Sequence, residues 1–190
     1  MKHRRCAFEL GGGVVSPENQ PGPRPAATPE RFLVSVVTGM RFTAPIEAVW
    51  ERLMFYEEIK KRPPWILRRL LPIPIRTEGH ATAVGDETRC CYQDGYLLKR
   101  VTQIAQGQFY AFEVVEQRLS LPGGIRLAQG SYTLRELPNS DAEVLLETRY
   151  LSSNRPRWLC QRIEVAVCHL FHSHILSAIG RQVTSRQNML

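Results

Sequence analysis

The chain has 190 residues and a mass of 21.7 kDa, the size of one domain or of one domain with a tail. Its composition, 43% hydrophobic and 23% charged, is that of a globular protein, and no apolar run approaches the ~20 residues of a membrane-spanning helix, which excludes a transmembrane reading. The net charge of +7 and a pI near 9.5 admit anionic partners without naming one.

The basic start, Met1-Lys2-His3-Arg4-Arg5, would suit a signal peptide. Cys6 to Gly13 then brings Glu9 and three glycines, so the apolar core of such a signal is missing and export by that route is not expected. The five cysteines (Cys6, Cys90, Cys91, Cys160, Cys168) are odd in number and form no C-x-x-C pair. A disulfide framework is not expected, and a reducing, cytoplasmic compartment fits.

Residues 1–30 are rich in proline and glycine and read as a flexible tail. A domain over 31–183 follows, with 184–190 as a short C-terminal tail. Phe32-Leu33-Val34-Ser35-Val36-Val37 is β-branched and strand-like. Thr43-Ala44-Pro45 opens a short helix in which Ile46, Val49, Trp50 and Leu53 keep helical spacing, and a second helical turn is expected from Phe55 to Lys60. From Lys61 to Pro74 the chain is proline-punctuated, basic and apolar. Strands are predicted over Thr88–Asp94, Tyr96–Gln103, Phe109–Gln117, Arg126–Leu137 and Ala142–Leu151, separated by glycine and proline turns. Along them Tyr92, Tyr110 with Phe112, Tyr132 and Tyr150 fall on the apolar side. A long helix from about Pro156 to Val183 closes the domain. An antiparallel sheet has one face to bury, and this helix is its natural cover.

The order and spacing resemble the START-type, polyketide-cyclase-like superfamily (SRPBCC) with its helix-grip fold. Phe42-Thr43-Ala44-Pro45-Ile46-Glu47-Ala48-Val49-Trp50 is similar to that family's opening F-x-A-P-x-x-x-V-W. Glu78-Gly79 followed by Val84-Gly85-Asp86 is similar to its G…V-G turn, and Gly130-Ser131-Tyr132-Thr133-Leu134 to its G-x-Y-x-L strand. His169 and His172, with Ile175 and Leu176, are similar to an H-x-x-H-x-x-[VI]-L helix of an uncharacterised bacterial branch. The resemblance implies an α+β fold: a curved antiparallel sheet wrapped around a long C-terminal helix, with two short helices after the first strand. It also implies a cavity for a hydrophobic or amphipathic small molecule, lipid or polyketide-like. No cofactor is implied, and binding without catalysis is the first reading.

The last helix has two apolar arcs. One holds Ile163, Val167, Leu170, Phe171 and His174; the other holds Val165, Cys168, His172, Ile175, Leu176 and Ile179, with His169 at its edge. The first ends in Ser177 and Arg181, so the second is placed inward, and His172 and His169 with it. Two histidines three apart could share a metal, but no third ligand is fixed and no metal site is expected. A core histidine bonded to the sheet is the plainer reading, with a polar anchor or acid–base group beside it. Tyr92, Tyr110, Phe112, Tyr132, Tyr150, His169 and His172 are the candidate ligand-binding residues, and Gly130 leaves room on the Tyr132 face. Four inward tyrosines need partners for their hydroxyls or must lie near strand ends.

The segment from Lys60 to Arg76 has six basic residues and no acid, interleaved with Trp65 and leucines. It reads as a lid loop with solvated arginines, or as a contact with an anionic membrane through Trp65, Arg68 and Arg69. No nucleic-acid partner is expected, since a single aromatic and no docking motif accompany the charge. No nucleophile elbow, phosphate loop or dinucleotide fingerprint is present. Catalytic residues are therefore not assigned. A cyclase, dehydratase or hydrolase with His172 as acid–base is the enzymatic alternative.

Overall fold

The computed structural model describes residues 30–54 and 76–187, the last four as backbone. Strand β1 (Phe32–Phe42) leads into helix α1 (Ile46–Met54). Six strands follow: β2 (Arg76–Gly79), β3 (Glu87–Tyr92), β4 (Gly95–Ala105), β5 (Phe109–Gln117), β6 (Arg126–Glu136) and β7 (Ala142–Ser152). Helix α2 (Arg157–Gln187) ends the described chain. The strands form one antiparallel sheet in the order β1-β7-β6-β5-β4-β3-β2. The expected tail (1–30, Glu30 apart), the second helical turn and the basic loop with Trp65, Arg68 and Arg69 lie outside the described residues.

The elements follow from alternation. In β1, Val34, Val36 and Phe42 are buried while Leu33, Ser35 and Val37 face solvent; in β7, Ala142, Val144, Leu146 and Tyr150 repeat the pattern. Antiparallel register sets Val36 opposite Thr148 and Phe42 opposite Ala142. The main core joins Phe42, Val49, Trp50, Leu53, Tyr132, Leu134 and Val144 to Ile175, Leu176, Ile179 and Val183 of α2. A smaller cluster of Cys90, Leu97, Leu119 and Leu121, with Tyr92 against it, lies at the far strands.

Three differences from the sequence reading have physical causes. β1 runs on to Phe42 because Thr38, Met40 and Phe42 keep the inward period after Val36, although Thr38-Gly39 breaks the apolar signal. β2 was not foreseen: Arg-Thr-Glu-Gly has no apolar face, and it is held by backbone pairing to β3 at the end of the sheet. Helix α2 continues beyond Val183 to Gln187.

Helix α2 also corrects the membrane reading. Arg157–Val183 is by length and composition apolar enough to span a bilayer, because its apolar residues are spread over two arcs rather than one run. Its second arc is committed to the sheet and α1: His172, Leu176 and Ile179 are fully buried.

Candidate functional site: the concave face and its buried histidine

The face of the sheet that meets α2 is built by cross-strand pairs. Tyr110 stands opposite Tyr132, Phe112 opposite Gly130 and Gly130 opposite Thr148. The Tyr110 ring lies 6.2 Å from Phe112 and 6.3 Å from Tyr132, tilted in both cases, within the separations at which aromatic rings attract. Tyr132 is buried in the main core, whereas Tyr110, Phe112 and Ile104 pack at its margin and stay half-buried. Gly130 does not leave room as expected. A side chain there would collide with the Phe112 ring, which occupies the space over the glycine. Lys99 belongs to the same wall: it pairs with Val114, and its ammonium sits 5.1 Å from the Phe112 ring centre.

His172 is the polar centre of the helix–sheet contact. Its Nδ1 lies 2.9 Å from Thr38 Oγ1 and its Nε2 lies 2.8 Å from Thr148 Oγ1. Cys168 Sγ is 3.4 Å from the same Nε2. The Thr38 hydroxyl also meets His169 Nδ1 at 2.7 Å. A neutral imidazole carries one N–H and one acceptor nitrogen. If His172 donates from Nδ1 to Thr38, Thr38 donates on to His169 and the Thr148 hydroxyl donates to His172 Nε2; reversing every bond satisfies the same atoms. Either way both ring nitrogens are engaged, and no nitrogen is left for a substrate.

Burial, reinforced by the neighbouring His169, pushes the His172 pKa down to about 4. Burial likewise pushes the Cys168 thiol up to about 11, against a smaller opposing effect from the Thr148 hydroxyl. A Cys–His pair at this distance resembles a nucleophilic dyad in geometry alone. Both charged forms are disfavoured, so the cluster is a neutral anchor.

A second polar group lies about two turns back along α2 from His172. Glu164 Oε1 accepts from Ser152 Oγ at 2.8 Å and from Asn154 Nδ2 at 2.6 Å. Its Oε2 and the Tyr150 hydroxyl are both buried and lie against each other, without a well-formed hydrogen bond. Burial first, and the charge of Glu164 second, raise the Tyr150 pKa.

The structure thus brings Tyr110, Phe112 and Tyr132 together, and His169 and His172 together through Thr38. Tyr92 packs against the smaller cluster and Tyr150 packs with Val34 and Val36, with Ile125 and Leu127 against both groups. Thr38, Thr148 and Lys99 are not singled out in the sequence, and Cys168 is placed there on the inward arc without a role. The trace of the two threonines is their inward parity on strands otherwise filled by valine and leucine.

No family model matches the sequence, and no curated protein matches it by sequence comparison. Solved structures do match in three dimensions. A point mutant of norcoclaurine synthase from Thalictrum flavum, in complex with a transition-state analogue, superposes with a TM-score of 0.58 at 12% identity, covering 83% of this chain and 98% of that one. A protein from Nitrosospira multiformis gives 0.56 at 14% identity, over 82% and 99% of the two chains. Ara h 8.0201 gives 0.53 at 12% identity, over 81% and 99%. At such identities the likeness is one of fold, and it agrees with the sheet order and the long closing helix: the chain has a helix-grip fold.

Proposed function

We propose that this protein binds a hydrophobic or amphipathic small molecule, lipid or polyketide-like, between the sheet and helix α2. The observation that carries the reading is the half-buried aromatic wall of Tyr110 and Phe112, at the margin of an otherwise closed core, with the Lys99 ammonium beside it. Such a wall suits a ligand with an apolar body, and the lysine suits an acidic head. The norcoclaurine synthase structure holds a small molecule in the same fold, which supports the reading by analogy. A cytoplasmic place goes with it, since Cys90, Cys91, Cys160 and Cys168 are all free thiols. The enzymatic alternative with His172 as acid–base is weakened by its two engaged nitrogens.

Titration of the full chain with anilinonaphthalene sulfonate, an apolar anion, tests this. Saturable binding tighter than about 1 mM, equivalent to about −4 kcal/mol, is expected. Phe112→Ala should weaken it about tenfold, and Lys99→Gln should weaken the anionic probe while sparing a neutral one. Absence of saturable binding, or binding indifferent to all of these changes, ends the proposal. Native mass spectrometry of protein from its own host would then identify the ligand as added mass.

A further inference from the structure

We propose that the outward arc of helix α2 docks onto an anionic lipid bilayer, lying in its surface plane. Leu159, Ile163, Ala166 and Leu170 recur at spacings of four, three and four, and so form one stripe about 16 Å long. Leu159 is 42%, Ile163 57% and Leu170 52% exposed, with Phe171 at 36% on one flank and Trp158 at 66% at the amino-terminal end. Three large apolar side chains on one helix face, with Trp158 and Phe171 exposed about 100° to either side, are more than scattered surface residues.

Charge selects the occupant. Arg162 borders the stripe, while Arg157 lies on the sheet side of the first turn with its guanidinium over the Phe32 ring. The single acid of the helix, Glu164, is turned inward to Ser152 and Asn154. An apolar stripe flanked by an exposed tryptophan and Arg162, with no outward acid on the helix, matches the headgroup boundary of an anionic membrane. A second copy of the chain fits poorly. A two-fold contact would bring arginine-bordered faces together without an acid to offset them, and five side chains fall far short of the about 20–30 residues a stable interface uses per side. Insertion across the bilayer is opposed by the buried arc, whose residues are the core of the fold. This inference is independent of the ligand proposal.

Flotation of the full chain with phosphatidylcholine vesicles, and with mixed phosphatidylcholine–phosphatidylserine vesicles, decides it. Binding is expected to the mixed vesicles, to weaken as salt rises, and to fall about fivefold for Arg162→Ser. Ile163→Asp with Leu170→Asp should abolish it with the melting transition intact. In a Trp65→Phe background, where Trp50 is buried, vesicles should shift the Trp158 emission to the blue. Should the aspartate variant fail to fold, that emission decides alone. The proposal is overturned by no binding to the mixed vesicles, by undiminished binding of a folded aspartate variant, by an unshifted Trp158, or by a concentration-dependent dimer that the same substitutions dissolve.

Discussion

Gly130 and Phe112 face each other across β6 and β5, and the Phe112 ring lies directly on the glycine's bare backbone. The glycine is therefore a seat for the ring. Gly130→Ala should cost about 1–3 kcal/mol, because the ring has to leave a well-packed position. Adding Phe112→Leu should recover part of the loss, so that a double-mutant cycle in denaturant shows coupling. Strict additivity would mean the ring does not depend on the glycine.

Acid should destabilise the fold through His172. In the unfolded chain its imidazole takes a proton near pH 6.5, whereas in the fold it resists until about pH 4. The unfolded state thus binds more protons between those values. Stability is complete above pH 6.5 and is lost as the pH falls, by up to about 3 kcal/mol. His172→Gln keeps partners for Thr38 and Thr148 but cannot titrate. Urea melts at pH 7 and pH 5 should show a smaller acid loss in that variant than in the parent.

Thiol reactivity should follow electrostatics rather than the dyad-like distance. With its thiol held near 11, Cys168 carries almost no thiolate at neutral pH. Iodoacetamide followed by peptide mass mapping should label the half-buried Cys91 and Cys160 well before Cys168. Preferential labelling of Cys168 would show that the His172 contact does activate it.

Tyr150 and Ser152 should respond to different degrees. The Tyr150 hydroxyl is buried beside the Glu164 carboxylate without a well-formed hydrogen bond, so Tyr150→Phe should change stability by less than about 1 kcal/mol. Ser152→Ala removes a hydrogen bond to the buried side of Glu164 and should lower stability by about 1.5–3 kcal/mol. Thermal melts of the two variants suffice, and a clear loss in Tyr150→Phe would refute the assignment.

How much of this was legible in the sequence differs by element. β-Branched residues marked β1, period-two alternation marked β3 and β5 to β7 because one face of each is buried, and the Ser177 and Arg181 positions chose the inward arc of α2. Strand β2 was illegible, since its pairing to β3 is made by the backbone of polar residues. The partnership of His172 with Thr38 and Thr148 was illegible for another reason: it depends on the register of β1 against β7 and on where α2 lands, and no local pattern encodes either. Lys99 escaped notice because a lysine in a strand reads as outward, whereas it shares the inward row of Leu97 and Val101. The Gly130 expectation failed for lack of the cross-strand register, which alone reveals that Phe112 fills the space.

The pairing of β1 with β7 also governs when the fold can form. Ser35 donates to Glu147, 112 positions later, and Thr38 meets His172 across 134. During synthesis β1 emerges early and has to wait for nearly the whole domain before its partner strand and covering helix exist. Contacts so distant in sequence close long loops before they return any stabilisation, which makes folding slow. Until then Leu33, Val34, Val36 and Val37 form an apolar strand with an unpaired edge, the kind of segment that associates with other chains. A nascent chain halted before α2 should therefore be an aggregation-prone species, and completion of the last helix is the event that hides its first strand.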